Sequence, residues 1–266
     1  MCEVRSAASV ILVRTRASTG QLEVFLVRRH KRASFMSSAF VFPGGVADDG
    51  ERDTRATAAR ELFEEAGILL SRTEIPAAVR EQWRTRLNDG GESLGDLLAG
   101  AGAELDLDSL HYFAHWVTPS AEKRRYSARF YIAELPAGQT PSFDNQETVD
   151  EIWVTPDEAL ERAGQLRLPP PQVRTLYDLR ACAREGLAAV LAEAAERERD
   201  PHPILPRLAP LDVGFALLLP WDPDYAERGT GDAIEMRGDH PLAVGPSRFV
   251  LRDDTWNNVF ADDPVH

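Results

Sequence analysis

The segment from Gly44 to Ile68 constrains this chain more than any other. It reads GGVADDGERDTRATAARELFEEAGI, with glycines at its start and three glutamates near its end. From about Asp53 the apolar residues recur at helical spacing, and the pattern stops before Gly67, a residue type that commonly follows the last turn of a helix. The segment therefore predicts a glycine loop followed by an amphipathic helix.

Three carboxylates crowd the end of the predicted helix. Glu61, Glu64 and Glu65 fall within about one 100° arc, opposite an apolar face. This position is unfavourable, because like charges repel across one turn and the C-terminal end of the helix dipole prefers cations. Arg60 offsets part of the cost through an (i, i+4) pair with Glu64. A solvated helix face would explain a bare E-x-x-E-E pattern, and a site for a divalent cation such as Mg²⁺ is the alternative.

The residues around the glutamates favour the cation site. From Gly45 through Glu51 and Arg60 to Ile68, the sequence resembles the Nudix box, G-x5-E-x7-R-E-U-x-E-E-x-G-U, where U is a bulky apolar residue. Eight residues rather than seven separate Glu51 from Arg60. We expect the extra residue to lengthen the loop without displacing the site, and the role of Glu51 stays open.

The resemblance implies a Nudix hydrolase, an enzyme that splits a nucleoside diphosphate linked to another moiety. It implies that Glu61, Glu64 and Glu65 bind Mg²⁺ or Mn²⁺ and that Arg60 orients them. The carbonyl of Gly45 is a further candidate ligand of the metal. Metal-assisted attack of water on phosphorus is the reaction expected of such a site.

The family often adds one more glutamate from a distant loop. Glu147, six residues before Trp153, is the first candidate for a metal ligand or general base, and Glu151 is the second. Each is also explained as an exposed loop acid.

Sequence on both sides of the box resembles the acyl-coenzyme A diphosphatase branch of the family. The flanking segments are FLVRRHKRASFMSSAFVFPGG, WVTPSAEKRRYSARFYIAEL and LRLPPPQVRTLYDL. A coenzyme A signature of other Nudix enzymes is not met, since Ser34 and Ser38 replace its Arg and Gly and only Arg29 fits it. The other candidates for binding substrate phosphates are basic residues between two predicted strands, namely Lys123, Arg124, Arg125 and Arg129.

The favoured function is thus cleavage of coenzyme A or acyl-coenzyme A to 3′,5′-ADP and a phosphopantetheine product. ADP-ribose, NDP-sugars and dinucleoside polyphosphates are competing substrates, and a Nudix-fold sensor that binds a nucleotide without cleaving it is an alternative of another class. The G-x-S-x-G match around Ser93 follows a loop rather than a strand, which argues against a serine hydrolase. His111 and His115 fall in a predicted strand and are expected to be hydrogen-bonded residues of the core.

Composition excludes several other partners. The chain has 43 acidic and 30 basic residues, a formal net charge of -13, which opposes non-specific binding to nucleic acid or anionic lipid. The N-terminal run does not resemble a signal peptide, no run approaches the length of a membrane span, and Cys2 and Cys182 lack metal-site spacing. We expect a cytoplasmic protein with reduced thiols that acts on a small nucleotide, and a homodimer remains open.

Alternating strand and helix patterns predict an α/β fold. The expected architecture is a Nudix α/β/α sandwich with a mixed sheet, plus a helical and irregular C-terminal extension. We expect a Nudix domain over residues 1–160, a helical extension packed on it over 161–199, and an appended element of unknown role over 200–266. Two strands are predicted in that last element, FALLLP and RFVLRD, and one long helix from about Gln172 to Glu198 precedes it.

Overall fold

A mixed eight-stranded sheet forms the centre of the molecule. The computed structural model describes residues 3–31, 36–212, 214–253 and 255–263. The strands of the central sheet are β1 (Val4–Thr15), β2 (Leu22–Arg29), β3 (Phe40–Val41), β4 (Gly44–Val46), β5 (His111–Val117), β6 (Arg125–Glu134), β7 (Thr148–Val154) and β8 (Pro203–Ile204). β1 pairs in parallel with β6 and in antiparallel with β2, so the predicted mixed sheet and the first hairpin are confirmed.

The glycine loop lies where β1 and β2 separate. β1 pairs with β2 at its C-terminal end and with β4 over Ala7–Ser9, while β3 pairs with β2. The chain from Phe40 to Val46 therefore fills the opening between the two strands, and the N–H of Val10 donates to the carbonyl of Pro43 at 2.8 Å. This insertion fixes the backbone of Gly44 and Gly45 inside the sheet.

One face of the sheet is covered by α1 (Thr54–Ala66), the helix of the glutamates. Its side chains pack with Val10 and Leu12 of β1 and Tyr131 of β6 in one apolar cluster. The helix begins at Asp53, whose side chain accepts from the N–H of Arg55, and ends at Gly67 with a φ of 69°. Both predicted ends are confirmed. A further cluster beside it holds α2 (Ala77–Asn88) and α3 (Leu94–Gly100).

The opposite face is covered by helices from the segment after β7. These are α4 (Pro156–Glu161), α5 (Ala163–Leu166), α6 (Pro170–Glu185) and α7 (Leu187–Arg199). Leu176, Leu179 and Val190 pack with Ile11 and Phe130. The prediction of one long helix was wrong, because Gly186 adopts a φ of 97° and separates α6 from α7. Helices on both faces of the sheet confirm the predicted α/β/α sandwich.

The C-terminal element is more regular than predicted. It contains a four-stranded antiparallel sheet of β9 (Arg207–Pro210), β10 (Phe215–Leu218), β11 (Arg248–Arg252) and β12 (Thr255–Val259), with α8 (Tyr225–Arg228) beside it. The two predicted strands are β10 and β11. β9 and β12 were missed because each is short and rich in polar residues or proline, so neither shows an apolar alternation. The division into domains stays a prediction.

The features that suggested other functions have structural roles here. Ser93 caps the N-terminus of α3 by accepting from the N–H of Asp96, and the loop before it matches the prediction. Nε2 of His115 lies 2.7 Å from Oγ of Ser127, and burial lowers the pKa of His115 to about 4. Cys182 is a free thiol, whereas Cys2 lies outside the described residues. None of the helices in the described ranges combines the length and apolar composition needed to cross a membrane.

A buried arginine joins the C-terminal element to α6. Arg174 is 0% exposed, and its guanidinium donates to the carbonyls of Leu242, Val244 and Pro246 at 2.8 to 3.2 Å. Its Nε lies 2.8 Å from Oδ1 of Asp178, one turn further along α6. Removal of this side chain would leave the Asp178 carboxylate and three carbonyls without their main partner.

We predict that Arg174→Met lowers the free energy of unfolding by about 3–5 kcal/mol. The Asp178 carboxylate loses its nearer arginine and keeps only Arg197 at 3.5 Å, and three carbonyls lose their donors. Arg184→Met is the matched control. Arg184 lies on the same helix and pairs with Asp157 at 2.7 Å, but its side chain is 65% exposed. We expect less than about 1 kcal/mol from it. Urea unfolding followed by circular dichroism measures both values, and equal losses would contradict the assignment.

Candidate active site

The carboxylates of α1 do not form a solvated face. Glu61 and Glu65 are 9% and 3% exposed, although they lie on the side of the helix opposite Leu62 and Phe63. They are covered by β4, which contacts α1 directly. A buried acidic face requires compensation from its neighbours, since isolated carboxylates are costly to remove from water.

The two glycines of β4 allow this close approach. The N–H of Gly44 donates to Oε2 of Glu65 at 2.9 Å. A Cβ at Gly45 would lie 2.4 Å from Oε1 of Glu61, nearer than any real contact of that kind. Gly44 also has a φ of 159°, and a Cβ there would meet Oγ of Ser9 at 2.2 Å. The glycine pair is therefore required by the space that Glu61 and Glu65 occupy.

Arg60 neutralises part of the acidic group. Its guanidinium lies 2.9 Å from Glu51, 3.0 Å from Glu61 and 3.0 Å from Glu64, and it donates to the carbonyl of Val46 at 2.9 Å. The sequence predicted the pair with Glu64, and the contact of Arg60 with two further glutamates agrees with an orienting role.

Glu51 reaches Arg60 despite the extra residue in the loop. Its carboxylate accepts from Oγ1 of Thr57 at 2.9 Å and from the N–H of Asp48 at 3.0 Å. These bonds and Arg60 hold the pKa of Glu51 below its usual range, against the opposing effect of burial. The added length is therefore accommodated between Glu51 and the start of α1, and Glu51 anchors Arg60.

Burial and mutual repulsion raise the pKa values of the helix glutamates. Desolvation raises the pKa of Glu61 to about 7, even though Arg60 opposes the shift. The pKa of Glu64 is also raised by desolvation. Glu65 has a pKa well above its usual range because it is desolvated and lies near Glu61. Negative charge in this pocket is thus only partly compensated by the protein.

Of the two candidates for the extra glutamate, Glu147 is the one that the structure brings to this group. Its charge raises the pKa of Glu61, Glu64 and Glu65. Its carbonyl accepts from the N–H of His30 at 2.7 Å, next to the end of β2. Glu151 lies in β7, and its Oε2 instead accepts from the N–H of Phe143 at 2.7 Å, in the loop before that strand.

The basic candidates separate into two places. Arg29 lies near the carboxylates, since its charge lowers the pKa of Glu65, and its Nε is buried with no hydrogen-bond partner among the described residues. Arg125 donates to the carbonyl of Thr118 and pairs with Asp232 of the C-terminal element at 3.2 Å.

The other basic candidates belong to the same hairpin as Arg125. Arg129 lies near Tyr112, Tyr131 and His115. Burial raises the pKa of both tyrosines and the charge of Arg129 opposes this, whereas for His115 burial lowers the pKa and the charge of Arg129 adds to the shift. Lys123 and Arg124 lie at the exposed tip. The structure thus brings Arg29 to the glutamates and places the hairpin residues in other surroundings. Ser34 lies outside the described residues.

Comparison with known proteins agrees with this geometry. The model of the NUDIX domain matches residues 4–95, and that of the NUDT19 Nudix domain matches residues 50–181. The chain belongs to the Nudix hydrolase superfamily. A NUDIX hydrolase from Alicyclobacillus acidocaldarius, known from its crystal structure, is 28% identical, with a TM-score of 0.62 over 71% of this chain and 96% of that one. The Nudix fold is therefore confirmed.

Two relatives show the range of similarity within this superfamily. Acyl-coenzyme A diphosphatase NUDT19 of Gallus gallus is 28% identical over an alignment of 305 positions including gaps, which covers 84% of this chain and 80% of that relative. Putative nudix hydrolase 7 of Caenorhabditis elegans is 31% identical over 183 residues, which cover 66% of this chain. The chain spans 60% of the length of that relative.

The residues of the Nudix box fit the divalent cation that this superfamily generally requires. All the candidate donors are oxygen atoms, which Mg²⁺ and Mn²⁺ prefer. Among the described residues, no three His, Cys, Asp or Glu side chains already converge as a metal site would. Arg60 instead lies between Glu61 and Glu64 and forms an ion pair with each of them. The raised pKa values of Glu61 and Glu65 mark the charge that a cation would neutralise.

One residue of the site, Arg84, is not indicated by any sequence pattern. Arg84 of α2 donates to the carbonyls of Glu64 and Glu65 at 2.9 and 2.7 Å. It supplies the cation that the C-terminal end of the Nudix helix lacks in its own sequence. Its guanidinium also bonds the Ser142 carbonyl, in the loop that leads to Glu147. No spacing rule links Arg84 to the box, so only the fold reveals it.

We predict that Glu61 makes the metal-free protein less stable as the pH rises from 4.5 to 7. In this window the unfolded chain has released the proton of Glu61, whose ordinary pKa is 4.5, while the folded protein retains it up to about 7. The folded state therefore binds more protons, and the free energy of unfolding falls by on the order of 2 kcal/mol across the window.

Urea unfolding in a chelator at several pH values tests this point. Glu61→Gln should flatten the decline relative to wild type, and the control Glu74→Gln, on an exposed loop, should retain it. Parallel profiles for wild type and Glu61→Gln would show that the carboxylate ionises normally in the folded state.

Proposed function

We propose that this Nudix hydrolase cleaves the diphosphate of a nucleotide derivative. Coenzyme A and its thioesters are the favoured substrates, and the products are 3′,5′-ADP and phosphopantetheine or its acyl form. The observation that carries the proposal is a group of four carboxylates, from Glu61, Glu64, Glu65 and Glu147. Glu61 and Glu65 are buried, the charge of Glu147 raises the pKa values of the three helix glutamates, and Arg60 and Arg29 are the cations beside them.

The reaction is a hydrolysis at phosphorus. The oxygen of water forms a bond to one phosphorus atom, the bridging P–O bond breaks, and its electron pair leaves with the other phosphate. Glu61, Glu64 and Glu65 would hold the divalent cation, which would neutralise charge at the diphosphate and activate water. The proton of the water goes to a nearby carboxylate, for which Glu147 is the first candidate.

The remaining residues of the proposed site have supporting roles. Arg60 keeps Glu61 and Glu64 in position through its two ion pairs. The Nε of Arg29 has no hydrogen-bond partner among the described residues. Its N–H is therefore available to donate to an oxygen of the diphosphate. The carbonyl of Gly45 remains a candidate ligand of the metal.

Coenzyme A is favoured because of the flanking sequence and the relatives. The acyl-coenzyme A diphosphatase of Gallus gallus aligns with 84% of this chain, far beyond the Nudix box. An identity of 28% supports the reaction better than it supports one substrate. ADP-ribose, NDP-sugars and dinucleoside polyphosphates are therefore the alternatives to test. The choice of Mg²⁺ or Mn²⁺, a cytoplasmic location and a homodimer are further parts of the proposal.

A nucleotide sensor without activity is the alternative of another class. Such a sensor is expected to lose carboxylates of the box, because binding alone does not need them. All three glutamates of the helix are present here, together with Arg60 and Glu51. This favours an enzyme.

We predict that the purified protein hydrolyses coenzyme A when Mg²⁺ or Mn²⁺ is present and stops when the metal is chelated. Coenzyme A, ADP-ribose, NADH and diadenosine polyphosphates are incubated separately, and the products are resolved by chromatography. Glu65→Gln should lower kcat at least roughly 100-fold, because metal-based charge stabilisation is worth several kcal/mol. Hydrolysis of another substrate but not coenzyme A would overturn the substrate, and full activity in Glu65→Gln would overturn the metal assignment.

A second prediction distinguishes the roles of Glu147 and Glu151. Glu147→Gln should lower kcat roughly 100-fold, as expected for loss of an acid–base group, and should flatten the acidic limb of the pH–rate profile. Glu151→Gln is the matched control, since it removes the same charge four residues away in the chain. We expect it to change kcat less than about threefold. The opposite order of effects would assign the role to Glu151.

A further inference from the structure

A cavity of about 330 Å³ lies at the meeting point of three distant segments. It is lined by the residues before β3, by the junction of α5 with α6, and by β12 of the C-terminal sheet. The residues that matter for its chemistry are Ser37, Ala39, Arg167, Leu168, Thr255 and Trp256. We call it the tail cavity. Its volume lies at the lower end of the range for sites that bind small molecules.

The tail cavity begins one strand away from the proposed diphosphate site. Val27 of β2 pairs with Val41 of β3 and with Glu151 of β7, so these two strands lie on opposite sides of β2. At the end of β2, the N–H of Arg29 donates to the carbonyl of Ala39 at 3.0 Å. Neighbouring strands are about 5 Å apart, so the backbone of Arg29 lies directly beside Ala39, a residue that lines the cavity.

Arg167 provides an available positive charge at this cavity. Its φ of 51° places a residue other than glycine in the left-handed region, where its backbone N–H bonds the carbonyl of Gly164 at 3.2 Å. This is the left-handed conformation that commonly ends a helix, and Arg167 is the residue at which α5 ends. The side chain is exposed, and its guanidinium has no ion pair or hydrogen bond within the part of the chain that the structure describes. In a chain with a net charge of -13, an arginine without an acidic partner attracts an anionic ligand.

The other lining groups suit a nucleoside. Trp256 is half-buried, and its ring lies 6.0 Å from that of Phe215 at an angle of 59°. An aromatic ring offers a stacking surface to a base, and the hydroxyls of Ser37 and Thr255 offer hydrogen bonds to a sugar or base edge. A guanidinium binds a phosphate monoester through paired N–H donors.

We propose that the tail cavity binds the 3′-phosphoadenosine half of the substrate, with Arg167 contacting the 3′-phosphate and Trp256 contacting the adenine. This inference rests on the function proposed above and assigns a specificity role to the C-terminal element. The pantetheine half is the less suitable occupant, because it carries no charge and would leave Arg167 without a partner. Arg167 is thus a residue that distinguishes coenzyme A from diphosphates lacking the 3′-phosphate.

Binding of the nucleotide product tests the inference without catalysis. Titration calorimetry in a chelator compares 3′,5′-ADP with 5′-AMP. We expect wild type to bind 3′,5′-ADP about tenfold more tightly, as one charge-assisted contact allows. Arg167→Asn should abolish this difference. Asparagine is chosen because it tolerates a positive φ. Arg167→Lys should retain part of the preference, because it keeps the charge.

Arg162→Asn is the matched control, since Arg162 is exposed on the same segment but does not line the cavity. It should bind both nucleotides as wild type does. Circular dichroism and urea unfolding verify that each variant is folded. An equal affinity of wild type for the two nucleotides, or an unchanged preference in Arg167→Asn, would overturn the inference.

Kinetics separate this inference from the proposed function. With coenzyme A, Arg167→Asn should raise KM about tenfold at constant kcat, and with 3′-dephospho-coenzyme A it should leave KM unchanged. If KM rises equally for both substrates, the cavity does not bind the 3′-phosphate and the inference is wrong. If wild type cleaves neither substrate yet still prefers 3′,5′-ADP, the proposed function fails while the binding site stands.

Discussion

The contact of Arg60 with three glutamates is the interaction on which the rest of the site depends. Without it, Glu61 would be a buried carboxylate under β4 with no arginine paired to it, and removing such a group from water is costly. Arg60 is itself held from outside the helix, by the carbonyl of Val46 and by Glu51. The loop before the helix therefore holds the Arg60 guanidinium in place through Val46 and Glu51. Its length can vary by one residue as long as Glu51 still reaches the guanidinium.

Arg60 neutralises only part of the negative charge of the glutamates around it. A single guanidinium faces Glu51, Glu61 and Glu64, while Glu65 relies on one backbone N–H from Gly44 and on the more distant charge of Arg29. The protein alone can remove the strain only by protonating a carboxylate, which is why the pKa values rise. A bound dication would remove it while all of the carboxylates stayed ionised. Metal binding at this site would therefore be coupled to the release of protons.

The sequence predicted the glutamate face, both ends of α1 and the pair between Arg60 and Glu64, because each follows from spacing within one helix. It did not predict that Glu61 and Glu65 are buried, since their cover comes from a loop that is placed by strand pairing. The contact of Arg84 with the end of α1 was not predicted for the same reason, because Arg84 lies on a different helix, α2. The break at Gly186 was missed since alanine and leucine on both sides continue the helical pattern, and a single glycine costs a helix only about 1 kcal/mol.

The C-terminal element shares a hydrophobic core cluster with the helices it covers. Phe249 of β11 is fully buried in the core cluster that includes Leu176 of α6, and Arg174 fixes the loop before β11 through three carbonyls. Deleting this element would expose that core and leave Arg174 with unfilled donors. Because β12 pairs with β11, the same anchor also determines where Trp256 lies. A rigid position for an aromatic side chain reduces the entropy lost when a ligand binds against it. The contacts that stabilise the extension therefore also preorganise the cavity beside the Nudix site.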